Sequence, residues 1–173
     1  MNKLRIVFGV QLVLFIAWGG YLLSSKNSAS PEFYLETRPV DPRDLLSGKF
    51  VALNYDISSP QAGTCPTVSS TALSFFVKLE DRGRTVNTEN GPVHVYEATD
   101  CAKTAPFGAA VWAHATPRPG FFGRNSAIYG IESFFINENN PLKDARSGSV
   151  IAKVKLGRNN QLVLLDLVKK IQP

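Results

Sequence analysis

Ser47, Lys49 and Lys78 are the residues available for a Ser–Lys nucleophilic pair. In such a pair the lysine must be desolvated, because only a lowered amine pKa leaves a free base for the hydroxyl proton. Lys49 opens an expected strand beside a turn, a solvent-facing place that keeps its ammonium charged. The two histidines, His94 in VHVY and His114 in VWAHA, each share a strand face with an aromatic residue, Tyr96 and Trp112 respectively. Two imidazoles on neighbouring strands, with Glu97 or Asp100 nearby, would offer metal ligands, but the spacing matches no particular metal motif. Half-buried or surface histidines are the ordinary reading. Glu132, in an apolar stretch between Ile131 and Ser133, needs either Arg43 or solvent as a partner. A catalytic acid there would need a second converging group, and none can be named. These residues define no catalytic set, no cofactor and no metal.

The two cysteines, Cys65 in GTCP and Cys101 in TDCA, lie in loop-like settings without a CxxC pair or a histidine to activate them. In an oxidising compartment the expectation is a disulfide. Closing that loop would stabilise the fold by roughly 3–4 kcal/mol on the chain-entropy argument. Elsewhere, PRPGFFGRNS (117–126) sets Phe121 and Phe122 between glycines and between Arg118 and Arg124. Aromatic residues with basic neighbours suit a lipid interface or a partner's pocket.

The elements that must carry these residues are mostly strands. Phe33–Arg38 is stopped by Pro39. In Lys49–Ile57, Val51, Leu53, Tyr55 and Ile57 alternate with Ala52, Asn54 and Asp56, the spacing of a half-buried strand. Further strands are expected at Thr71–Leu79, Val93–Thr99, Ala109–Thr116 and Ala127–Ile136. Turns fall at Asp81-Arg82-Gly83 and Asn90-Gly91. Ser149–Leu156, Gly157–Asn160 and Gln161–Lys169 read as a hairpin. Single helical turns are expected at Asp41–Leu46 and Pro141–Arg146. About eight strands on short turns predict a mainly β domain, a single antiparallel β-barrel or sandwich.

The N-terminus is different. Ile6–Leu23 (IVFGVQLVLFIAWGGYLL) has no charge and one strongly polar residue, Gln11. As a helix it would rise about 27 Å, enough for one bilayer crossing. Ser28-Ala29-Ser30 is small-x-small, but Pro31 would follow the cut, so a retained anchor is expected over a cleaved signal. Lys3 and Arg5 precede the run and only Lys26 follows closely, which puts the N-terminus in the cytoplasm. The expected organisation is a cytoplasmic start at 1–5, a transmembrane helix at 6–23, a linker at 24–32 and an extracytoplasmic β-domain at 33–173. The net charge of +5 shrinks once Lys3, Arg5 and Lys26 are set aside, leaving 16 of the 19 basic residues against 14 acidic ones. That balance gives no footprint for nucleic acid.

Val40–Tyr55 reads VDPRDLLSGKFVALNY. It resembles the motif of the GDYXXLXY family, membrane-anchored proteins of unknown function, after a Val-Asp-Pro-Arg segment. Gly48, Leu53 and Tyr55 match; Lys49 stands where the family has Asp, and Phe50 where it has Tyr. Tyr129-Gly130-Ile131-Glu132 with the following aromatics is similar to a second family segment. The resemblance implies no established activity, and a multi-pass membrane protein as partner. Physics gives its residues plain work. Asp41 would cap a turn opened by Pro42, Arg43 would pair with Asp44 or Glu132, Gly48 would supply a positive φ, and Tyr55 would bury its ring and bond its hydroxyl.

The preferred expectation is a non-catalytic interaction subunit of a membrane assembly. The alternatives are a membrane-tethered hydrolase of signal-peptidase type, whose Ser-x-Met-Pro pattern is missing here, and a binding module for a cell-envelope component.

Overall fold

The computed structural model describes residues 2–26, 30–39, 50–106, 108, 110–118, 126–135 and 147–171, with side chains of the first segment described over 5–20. The chain forms two compact units, residues 1–30 and 31–173.

The first unit is one helix, α1 (Asn2–Lys26). Ile6, Phe8, Leu12, Val13, Phe15, Ile16 and Trp18 all stand more than half exposed. These positions go round the whole cylinder, so α1 is apolar on every face rather than amphipathic. Among the described residues no helix is both long and apolar enough to cross a membrane. The transmembrane helix expected at 6–23 is thus found as a helix but not as a membrane span among the described residues.

The second unit is mainly β, as its alternation predicts. Its strands are β1 (Glu32–Arg38), β2 (Phe50–Ala52), β3 (Asn54–Tyr55), β4 (Phe75–Thr88) and β5 (Gly91–Ala102). They continue with β6 (Val111–Arg118), β7 (Ser126–Ile128), β8 (Ser133–Phe135), β9 (Val150–Leu156) and β10 (Leu162–Lys169). The main sheet runs β10-β9-β1-β5-β4-β6-β7, with β3 added to the end of β1, and β2 pairs separately with β8. β1 is the centre. It pairs antiparallel with β9 from Glu32↔Lys155 to Glu36↔Ile151, and parallel with β5 at Tyr34↔Val95. The sheet is therefore mixed, which corrects the wholly antiparallel expectation: β1 and β5 are joined by a long crossover rather than a hairpin turn.

Phe33 and Leu35 of β1 face the main core with Phe75, Val77 and Leu79 of β4, Ala113 and Ala115 of β6, and Ala152 and Val154 of β9. Val86, Val95 and Ile151, with Tyr34 and Val93 against them, form a second small cluster on the opposite face. The sheet curls into a half-barrel. Its β4–β5 hairpin carries two register shifts, at Lys78/Leu79 and Asp81/Thr85, and such irregularities increase local twist. At the far end of the hairpin Thr88 bridges Lys170. The Glu89 N–H reaches the Lys169 carbonyl at 3.1 Å, and the Ile171 N–H reaches that of Asn87 at 3.0 Å. Asn90-Gly91 is the hairpin turn as expected. Asp81-Arg82-Gly83 is not a reversal: Gly83 takes φ +80° and donates its N–H to Asp81 Oδ1 at 2.7 Å, so the turn chemistry is spent on a bulge inside β4.

Three expected strands are corrected. Lys49–Ile57 divides into β2, β3 and a 3₁₀ turn at Asp56–Ser58, because Leu53 is claimed by the Glu132 carbonyl at 2.7 Å. Leu53, Tyr55 and Ile57 still share the buried side. Ala127–Ile136 divides into β7 and β8 around Gly130, whose φ is +82°. Thr71–Leu79 begins as strand only at Phe75, since a helix, α2 (Cys65–Thr71), precedes it. Pro66 in its first turn was the available signal. The Asp41–Leu46 and Pro141–Arg146 turns lie outside the described residues.

Cys65 and Cys101 are bonded to each other. Neither is in a loop: Cys65 starts α2 and Cys101 lies in β5. Asp100 Oδ1 accepts the Thr64 N–H at 2.9 Å and the Cys101 N–H at 2.8 Å. These bonds, that from Thr64 first, hold its carboxyl below the usual carboxylate range. Gly63 lies so close that a Cβ would come within 2.4 Å of that oxygen. Replacing Cys65→Ser together with Cys101→Ser is expected to cost about 4 kcal/mol for this loop. Urea unfolding reads the loss; an unchanged midpoint would show that α2 is clamped without the bond.

Candidate functional site

The segments Leu53–Ser58 and Tyr129–Glu132 are held together by exchanged hydrogen bonds. The Tyr55 hydroxyl donates to the Ile131 carbonyl at 2.7 Å, and the Tyr129 hydroxyl donates to that of Ile57 at 2.7 Å. The two rings thus reach in opposite directions, each ending on the other segment's main chain. Glu132 closes its own turn: Oε1 accepts the Tyr129 N–H at 2.6 Å and Oε2 the Gly130 N–H at 2.9 Å. Tyr55, Tyr129, Leu53 and Ile131 are all buried. Burial first, and the Glu132 charge second, push both tyrosine hydroxyls far above their ordinary pKa. They stay protonated at any physiological pH, which makes them fixed donors rather than acids or bases.

A family model described as "GDYXXLXY protein" matches residues 12–167. The chain belongs to this family. No curated protein and no solved structure matches it. Leu53 and Tyr55 of the family motif, with Tyr129, Gly130 and Glu132 of the second segment, are the residues that the fold brings together in this corner. Asp41, Pro42, Arg43, Gly48 and the substituted Lys49 lie outside the described residues, and so does the expected Arg43–Glu132 pair. Glu132 is in a turn rather than a strand, and its carboxylate is occupied by main-chain N–H groups.

Beside the GDYXXLXY corner runs an ion network. Asp56, next to Tyr55, meets the Arg38 Nε at 2.5 Å and the Arg84 guanidinium at 3.4 Å. Arg84 also contacts Glu97 at 3.2 Å and pairs with Glu36, which in turn pairs with Lys170. The Glu36 side chain is only 10 % exposed. Three acids and three bases from five separate stretches of chain therefore balance on the face opposite the main core. The partners lie far apart in sequence, and no local spacing announces them.

The other singled-out residues stay apart. His94 sits 3.3 Å from Asp81, and His114 packs edge-on against Phe76 at 5.3 Å. Their β4 partners, Thr85 and Phe76, are nine positions apart, so the imidazoles do not share a site. Among the described residues no group of three or more His, Cys, Asp or Glu is placed to hold a metal ion. Lys78 is ion-paired with Glu80 at 2.6 Å, and this hydrogen bond holds the Glu80 carboxyl below its ordinary pKa. Ser47 lies outside the described residues. Arg118 ends β6 opposite Ser126, whereas Phe121, Phe122 and Arg124 are outside the described residues.

Two predictions follow the tyrosine exchange. Tyr55→Phe or Tyr129→Phe leaves a buried carbonyl without its donor and should each cost about 1–3 kcal/mol. Above the ordinary tyrosine pKa of about 10, unfolding releases two protons that the fold retains, so stability is intact below that pH and falls as pH rises. The slope approaches about 2.7 kcal/mol per pH unit for two groups, and the double Phe variant should lose that contribution. Urea titrations at pH 8 to 11 measure it. Glu132→Gln is the third test, because an amide offers one acceptor oxygen to two N–H groups. It should lower the unfolding midpoint at neutral pH by the equivalent of about 1–3 kcal/mol.

Proposed function

We propose that this protein is a membrane-anchored, non-catalytic interaction subunit, with α1 in the bilayer, its N-terminus in the cytoplasm and the β-domain on the extracytoplasmic side. The observation that carries the proposal is the exposed apolar surface of α1 on every described face. A helix that is apolar all round has no stable place in water and is matched by lipid or by other membrane helices. The bonded Cys65–Cys101 pair supports an oxidising compartment for the β-domain. The non-catalytic role is supported by the GDYXXLXY corner, where both hydroxyls and both Glu132 oxygens already hold main-chain partners. The partner we propose is a multi-pass membrane protein, and the 117–126 loop, with Arg118, Phe121, Phe122 and Arg124, is its contact.

Affinity purification from membranes in mild detergent tests this. The expected result is one multi-pass protein recovered with the intact chain and lost with Phe121→Asp plus Phe122→Asp, while the tagged chain stays folded and membrane-bound. Release of the chain by alkaline extraction would sink the anchor, and recovery without any companion would sink the subunit role.

A further inference from the structure

Val7, Gln11, Leu14 and Trp18 follow one another at intervals of four, three and four residues, the spacing that keeps one stripe of a helix facing a partner helix. All four side chains are exposed, and Gln11, Leu14, Phe15, Ala17 and Trp18 line a shallow groove along α1. Gln11 is the one strongly polar residue of Ile6–Leu23. Its amide carries two N–H donors and a carbonyl acceptor, and hydrocarbon offers partners for neither. We propose that α1 pairs in parallel with α1 of a second copy along this stripe, the two Gln11 amides hydrogen-bonded to each other.

The inference rests on the membrane reading above. A second copy is the occupant because it enters the bilayer in the same direction and so brings its own Gln11 to the same depth. An amide, unlike a carboxylate or an ammonium, is complementary to itself, donating and accepting at once. A polar residue at one core position of an apolar seam also fixes register and the number of strands.

The test uses the full chain in native membranes. Cys65 and Cys101 are bonded and no free thiol is present, so single cysteines placed in α1 report on α1 alone. Under mild oxidation, Val7→Cys, Leu14→Cys and Trp18→Cys should give a two-chain species, whereas Val13→Cys and Ile16→Cys on the far side should not. In energy-transfer measurements between labelled copies, Gln11→Leu should weaken pairing about 3- to 30-fold, the range for interhelical side-chain hydrogen bonds. Gln11→Asn should retain it. Cross-linking at all positions alike, capture of a different protein at position 14, or single chains throughout would overturn the pairing while leaving the anchor intact. Loss of the chain from membranes on alkaline extraction would instead remove the anchor reading itself.

Discussion

Two phenol hydroxyls in an apolar interior have to end on acceptors, and here each ends on the main chain of the segment that carries the other. That exchange joins the end of the family motif to the turn between β7 and β8, and it explains why both expected long strands break where they do. A continuous strand through Leu53 would present its N–H to a neighbouring strand. The N–H instead meets the Glu132 carbonyl, and the chain bends to bring Tyr55 and Ile57 inward. Gly130, at a φ that L side chains avoid, lets the Glu132 carboxylate fold back onto the two N–H groups before it. A buried network of this kind is stable only when every member is satisfied, and within the described residues each one is.

How much of this was legible in the sequence depended on the range of the interaction. Alternation placed β1, the β9–β10 hairpin and the buried sides of Leu53, Tyr55, Phe75, Val77 and Leu79, because side-chain period is a property of neighbours. The Asn90-Gly91 turn was equally local. Asp81-Arg82-Gly83 showed its turn chemistry correctly but not its use, since a bulge and a reversal draw on the same residues. α2 is not evident in the sequence because CPTVSST has little helix propensity of its own; its first residue is tied to β5 by the bond to Cys101. The resemblance to the family pointed to Tyr55, Tyr129 and Glu132 but not to their mutual bonds, nor to the closing of Glu132 on its own turn.

The ion network shows the same limit more sharply. Glu36 and Arg38 occupy the outward positions of a strand, where charge is unremarkable, and Arg84 follows a glycine in what reads as a loop. Only the curl of the hairpin carries Arg84 toward Glu36, Asp56 and Glu97 together. Such a cluster gains little from any one exposed pair. With Glu36 almost enclosed, however, removing both of its partners, Arg84 and Lys170, would strand a charge in a low-dielectric place.

β1 is the first strand of its unit, yet its longest pairing is with β9, which arrives more than a hundred residues later. Until β9 is in place, β1 has one flank bare. An unpaired strand edge of that kind is a ready template for another chain, so the β1–β9 pairing also removes a site of aggregation.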